Sequence, residues 1–356
     1  MSPPSVRVDT FCRRFGLRVP VLLAPMAGVP APALSVAVMQ AGGMGACGVI
    51  AMTSEEIGAW CHAVRSANGS SFQLNTWIPD PPPVRNTEQE SRVRLFLSTL
   101  GPPVPENAAD AAPPDFAGQC DAMLAANPTV ISSIMGVYPN AFVDAMKARG
   151  IAWFACATTV EEARTAEAAG ADAIVAQGME AGGHRGAFDA ARAERQMVGL
   201  LSLVPAIVDA VRLPVIAAGG IADARGVAAA LALGASAVQV GTGLLRSPEA
   251  GIHPAWAAAL GRTAPEDTTV SRAFSGRPAR SIATRFVAAM TGPGAPAPAP
   301  YPIQRALTAA MRASGLLDGD IDRIQAWAGQ SAALAPALPA GDAVRKMWEG
   351  AQQLLA

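Results

Sequence analysis

The residues with the most chemistry in them lie in Gln177-Gly178-Met179-Glu180-Ala181-Gly182-Gly183-His184-Arg185-Gly186. Two adjacent glycines let the main chain approach a ligand and adopt positive φ, and the imidazole beside them suits proton transfer near neutral pH. A tight turn ending in a solvent-exposed histidine has the same pattern. The chain holds only three histidines. The other two have plainer settings, His62 in a helix of mixed polarity and His253 in a loop before Pro254. Two more glycine turns follow in succession, Pro214-Val-Ile-Ala-Ala-Gly-Gly-Ile221 and Val238-Gln-Val-Gly-Thr-Gly243. Such turns can offer main-chain N–H groups and a helix N-terminus to a phosphate, although any barrel needs glycine at some strand ends.

Other segments read two ways. Ala24-Pro-Met-Ala-Gly28 is either ordinary loop or main chain laid against a flat ring, and Asn75, polar in an apolar run, is either a ligand contact or a turn cap. Ser275-Gly-Arg-Pro-Ala-Arg280 is either an anion site or the start of a surface helix with proline in its first turn. Gly43-Met-Gly-Ala-Cys-Gly48 matches the dinucleotide pattern G-x-G-x-x-G, but it follows a helix and enters a strand, which is the wrong context. The five cysteines, at 12, 47, 61, 120 and 156, show no C-x-x-C spacing and read as packing residues; no metal site is expected.

The elements that must position these groups are legible from the alternation of short apolar runs with segments of helical length. Strands are expected at 21–24, 45–49, 72–75, 130–134, 152–155, 173–176, 215–218 and 237–240. Helices are expected between them at 32–40, 54–67, 140–148, 160–169, 199–211 and 223–233. This α/β rhythm predicts a (β/α)8 TIM barrel over 1–245. Within it, 79–118 is a proline-rich insertion after strand three, irregular apart from a helix near 88–100 and placed to cover the barrel mouth. Residues 246–356 read as a helical extension packed on the barrel, with helices at 254–260, 279–290, 301–313 and 319–328 and a polyproline-like strap, PGAPAPAP, at 293–300.

Composition excludes several classes. Of 356 residues 51% are hydrophobic and 15% charged, too much to bury and too little charge for a disordered chain. The 27 basic residues nearly cancel the 28 acidic ones and form no run or stripe, so nucleic acid is not an expected partner. No stretch of about 18 apolar residues could span a bilayer. The N-terminus lacks a signal-peptide layout and the cysteines suit a reducing compartment, which predicts a cytoplasmic protein.

Taken together, LLAPMAG (22–28), GGMGACG (42–48), LNTWIP (74–79), ATTVEEA (157–163), AQGMEAGGHRG (176–186), PVIAAGGIADARG (214–226), VQVGT (238–242), FSGRPAR (274–280) and WAGQSA (327–332) resemble the nitronate monooxygenases, flavoproteins formerly called 2-nitropropane dioxygenases. The resemblance runs through nearly the whole chain and implies a barrel holding FMN without a covalent bond. It implies oxidative denitrification of alkyl nitronates, with nitroalkanes as further substrates, by O2 to a carbonyl compound and nitrite. Carried over by motif, the flavin contacts are Ala24, Pro25, Met26, Asn75, Gln177, Gly182, Gly219, Gly220, Gln239, Gly241 and Thr242, and His184 is the acid/base. The expected partners are a small alkyl nitronate and O2, with room for a homodimer. Thr76-Trp77 and Ser132-Ser-Ile-Met-Gly136 depart from some relatives at positions that shape the substrate pocket. Two other readings share the barrel: an FMN-dependent NAD(P)H reductase of the enoyl-acyl carrier protein or quinone type, and a non-enzymatic flavin or phosphate-ligand binder.

Overall fold

The computed structural model describes residues 2–29, 31–67, 69, 71–110 and 115–356. In chain order its strands are β1 (Val21–Leu23), β2 (Gly45–Gly48), β3 (Phe72–Trp77), β4 (Val130–Ile134), β5 (Ala152–Ala157), β6 (Ala173–Gln177), β7 (Gly183–His184), β8 (Val215–Ala218), β9 (Ala237–Val240), β10 (Thr268–Ser271) and β11 (Ala279–Ile282). Eight of them form one parallel sheet in the order β1-β9-β8-β6-β5-β4-β3-β2. Met44, just ahead of β2, brings the last strand back to the first. It accepts from the Leu23 N–H at 2.9 Å and donates to the Val21 carbonyl at 3.2 Å. The barrel read from the sequence is the fold.

Local sequence explains most of the helices around it. Ser54–Ser66 opens on a capping box in which the Thr53 hydroxyl accepts from Glu56 N–H and the Glu56 carboxylate from Thr53 N–H. Side-chain oxygens alone cap Val160–Ala168 and Ala224–Ala232, where Thr159 accepts from Glu162 N–H and Asp223 from Arg225 and Gly226 N–H. Such caps satisfy donors that a helix cannot bond itself. The helix Pro4–Phe15 was not foreseen. It lies under the amino ends of the strands, where its Phe15 carbonyl accepts from the Ser71 hydroxyl and its Phe11 and Phe15 rings pack on Phe154 of β5.

Three segments after residue 245 correct the sequence reading. The helix expected over 279–290 begins instead as strand β11, and only Arg285–Thr291 is helical. β11 pairs antiparallel with β10 on one side and with β7, the dipeptide bearing His184, on the other. No periodicity within 279–290 reports a partner almost a hundred residues away. The helix expected over 319–328 is absent as well: Gly319 takes φ +65 as the left-handed cap that ends Ala309–Asp318, and turns follow it. The stretch read as a helix over 301–313 is two helices, Ile303–Leu307 and Ala309–Asp318.

The insertion after β3 contains the helix Thr87–Leu97, capped by Asn86, and the barrel helix Phe116–Ala126; its residues 111–114 lie outside the described residues. Val93 and Leu97 share a second apolar core with Phe274, Phe286, Met290, Ile303 and Met311, so insertion and later segments are packed together. The proline-rich strap crosses this core. Gln89 Nε2 donates to the Ala297 and Pro298 carbonyls, and Ala299 N–H donates to Gln304 Oε1. The final helix, Ala340–Leu355, returns to the barrel and packs between Pro32–Gln40 and Ala224–Ala232. It thus fills the eighth helical position about a hundred residues after β9. Among the described residues, no helix is long and apolar enough to cross a membrane.

Barrel closure has a direct test. A Cβ at Gly43 would stand 2.3 Å from the Val21 carbonyl, the acceptor of the closing Met44 bond. Gly43→Ala is therefore expected to lose about 1–3 kcal/mol of stability. The effect is read as a lower urea midpoint at unchanged slope.

Candidate functional site

Strand alternation puts Gln73, Asn75 and Trp77 of β3 on the inner face of the barrel. Gln73 donates from Nε2 to the Leu23 carbonyl at 3.1 Å and to Gln239 Oε1 at 3.0 Å, forming a polar floor across the axis. Above it, at the carboxyl ends of the strands, opens a cavity of about 1040 Å³. Every candidate named from the sequence lines it: Ala24, Pro25 and Met26 after β1, Asn75 on β3, Gln177 on β6, Gly182 and His184 beyond it, Gly219 and Gly220 after β8, and Gln239, Gly241 and Thr242 at the end of β9.

Several of these residues have partners that spacing did not suggest. Asn75 donates from Nδ2 to Ser132 Oγ at 3.0 Å, a bond between β3 and β4. Gln177 uses both ends of its amide on the loop that follows, donating to the His184 carbonyl at 3.1 Å and accepting from Gly186 N–H at 2.8 Å. A Cβ at Gly182 would meet Gly329 N at 2.5 Å, so its glycine is required by the segment 327–331 lying across it. Gly329 N–H in turn donates to Thr242 Oγ1 at 3.0 Å. Gly219 and Gly220 take φ +111 and +68, which turns the chain back after β8. Among the described residues, the N–H groups of Gly220, Gly241 and Thr242 have no protein acceptor.

The His184 ring sits at the inner wall. Its Nε2 is 2.8 Å from Ser275 Oγ, and its faces meet the rings of Trp77 at 4.5 Å and Trp327 at 5.1 Å, both edge-on. Burial between these indoles, with the positive fields of Arg277 and Arg305, pushes the imidazole down to about 3. It is neutral at physiological pH. Cys156 also lines the cavity, but burial pushes its thiol up to about 12, which leaves it unreactive.

The arginines of FSGRPAR do not open a surface helix; they are buried and their partners lie within the protein. Arg277 is 2% exposed, with Nη1 2.6 Å from Asp80 Oδ1 and Nη2 donating to the Ala187 carbonyl at 2.9 Å. Arg280 donates from Nε to the Met179 carbonyl and from Nη1 to Thr268 Oγ1. Arg185, 1% exposed, donates to the Gly178 and Gln177 carbonyls. These bonds hold the backbone around the imidazole loop.

Comparison with known proteins bears on this arrangement. The nitronate monooxygenase family model matches residues 11–350. The chain belongs to that family. It is 38% identical to a nitronate monooxygenase of Pseudomonas aeruginosa over 96% of this chain and 98% of the relative. It is equally close to one from Paraburkholderia phytofirmans, over 93% and 92%. Among solved structures, nitroalkane oxidase from Streptomyces ansochromogenes superposes with a TM-score of 0.86 at 35% identity, covering 95% of this chain and 98% of that one. FabK from Thermotoga maritima superposes at 0.74 with 27% identity, over 97% and 96%. Membership places the protein among the oxidoreductases.

In this nitronate monooxygenase family member, other cavity residues were not named as site residues from the sequence. Tyr301, Arg305, Arg312, Gln325 and Trp327 line the wall facing the barrel. WAGQSA carried a trace of this wall, but nothing in 301–325 distinguishes a pocket lining from a surface helix. The sign of the His184 shift makes one prediction. A neutral native imidazole means that the unfolded chain, with an ordinary histidine near 6.5, binds the extra proton as pH falls. Stability contributed by His184 is whole above 6.5 and is lost progressively toward about 3. Urea midpoints of the wild type and His184→Asn, compared from pH 7.5 to 4.5, should therefore show the wild type losing relative stability toward acid. Parallel curves would mean an imidazole that titrates normally.

Proposed function

We propose that the protein is an FMN-dependent nitronate monooxygenase that converts small alkyl nitronates with O2 into a carbonyl compound and nitrite. The single observation that carries this reading is His184, the cavity's one imidazole, held neutral opposite two arginines that lack carboxylate partners. Arg305 and Arg312 line the same cavity as His184. Arg312 donates to Gln325 Oε1, Thr308 Oγ1 and the Arg305 carbonyl, none of them an anion. Burial and Arg305 lower its guanidinium to about 10, which leaves it cationic at neutral pH. Such a site attracts an anion, and a nitronate is one.

The residues present fit a flavin mononucleotide. The unpaired N–H groups of Gly220, Gly241 and Thr242 lie at the ends of β8 and β9, where barrels bind a phosphate. Beneath the lining, Gln73 Oε1 is buried without a partner while its Nε2 donates to Gln239, which does line the cavity. Ala24, Pro25 and Met26 would lie along the ring, and Asn75, Gln177 and Gln239 would meet its polar edge. When bound, FMN supplies the electron acceptance that no side chain in the cavity can provide.

The protein's own groups then have separate tasks. Arg305 and Arg312 draw the nitronate in and fix its charge. Trp77, Trp327 and Tyr301 exclude water around it. His184, already neutral, can accept the α-proton of a nitroalkane, but an imidazole pushed so low is a weak base. Anionic nitronates, which need no such step, are therefore the better substrates.

Three experiments test this. Under anaerobic conditions ethylnitronate or propionate 3-nitronate should bleach the bound flavin, NADH should not, and admission of air should release nitrite; bleaching by NADH alone would establish the reductase reading instead. His184→Asn should keep flavin and nitronate oxidation while losing neutral nitroalkane turnover by about a hundredfold or more. Gly220→Val should weaken FMN binding at least tenfold by fluorescence titration, since a branched residue at φ +68 must move the turn that presents its N–H.

A further inference from the structure

Asp80 lies three residues beyond Trp77, at the start of the insertion after β3, and none of the motifs singles it out. Its two carboxylate oxygens both stand 2.6 Å from Arg277 Nη1. Arg277 is almost wholly buried, and its Nε has no partner, so its charge rests on Asp80 and on the Ala187 carbonyl. Ala187 is three residues past His184. On the other side of the imidazole, Arg277 N–H points to Ser275 Oγ at 3.4 Å, and that hydroxyl is the one 2.8 Å from His184 Nε2. Ala279, two residues on, is the register partner of His184 between β11 and β7. Arg277 therefore touches the imidazole loop through its side chain and the imidazole's own hydrogen-bond partner through its main chain.

We propose that Asp80 and Arg277 are positioning residues for His184, an ion pair in which both carboxylate oxygens hold one guanidinium nitrogen and tie the end of β3 to the loop and hydroxyl that orient the imidazole. Two links then run from β3 to His184. Trp77 provides a ring contact at 4.5 Å, and Asp80 provides an ionic one through Arg277. The ionic link is the one that fixes the guanidinium, since one terminal nitrogen is held by the Asp80 carboxylate and the other by the Ala187 carbonyl of the imidazole loop. Removing the carboxylate leaves a buried cation with one acceptor, which must move toward water and take the Ala187 carbonyl with it.

The inference rests on His184 being the acid/base, and the test separates the two. The protein contains three histidines, so histidine-selective 15N labelling gives three pairs of ring signals, assigned by His62→Gln and His253→Gln. These are read without substrate, alongside kcat, KM and the melting temperature. In Asp80→Asn the His184 ring signals should shift or broaden, reporting a changed tautomer or mixed orientations, while those of His62 and His253 stay in place. With nitroalkane, kcat should fall about tenfold and KM stay within about twofold, the signature of a misplaced group rather than lost binding. Arg277→Lys, which keeps the charge and loses the fork, should act in the same direction and serves if Asp80→Asn does not fold; Asp80→Glu should restore the signals. Unchanged His184 signals in a folded Asp80→Asn or Arg277→Lys would overturn the proposal, as would losses in kcat that merely follow the melting temperature. Full nitroalkane turnover by His184→Asn would instead remove the acid/base role and leave the ion pair's effect on the ring signals standing.

Discussion

Three guanidiniums, those of Arg185, Arg277 and Arg280, are 1%, 2% and 5% exposed, and each needs oxygen acceptors because a buried cation without them is very costly. The acceptors are mostly main-chain carbonyls of 177–187, the loop that carries His184. Loops ordinarily run over the surface with their polar groups in water. This one is drawn inward because its carbonyls answer buried charge, and the imidazole it carries is thereby fixed at the cavity wall instead of moving with a flexible tip.

The same constraint sets the electrostatics. Burial between indoles and the positive fields of Arg277 and Arg305 together keep the imidazole neutral. Asp80 offsets part of that charge at Arg277, whereas Arg305 and Arg312 are left without carboxylates on the cavity side. Of the buried arginines that hold the imidazole loop, Arg277 alone has a carboxylate partner, and Arg185 and Arg280 rest on carbonyl and hydroxyl oxygens.

The barrel could be read along the chain because each βα unit is local: a short apolar run, a cap such as Thr53 or Asp223, and a glycine after the helix. The candidate residues were legible for a similar reason, since barrel strands deliver their carboxyl ends to one face and any distinctive residue there enters the same cavity. What escaped was the wall opposite. β11 exists because its residues pair with Thr268–Ser271 on one side and with Gly183 and His184 on the other, and no periodicity within 279–290 reports either partner. Arg280 looked like a surface cation until its acceptors at Met179 and Thr268 were in place.

The sequence by itself determined the eight-unit barrel and placed the residues carried over by motif, His184 among them, at or just beyond the strand ends of one face, which follows from periodicity and residue type within some twenty residues. The tertiary structure alone decided that the histidine is neutral, that Gln177 braces its loop, and that the final helix completes the barrel. These depend on partners from under ten to about three hundred residues away, through burial and hydrogen-bond satisfaction, which no local pattern encodes.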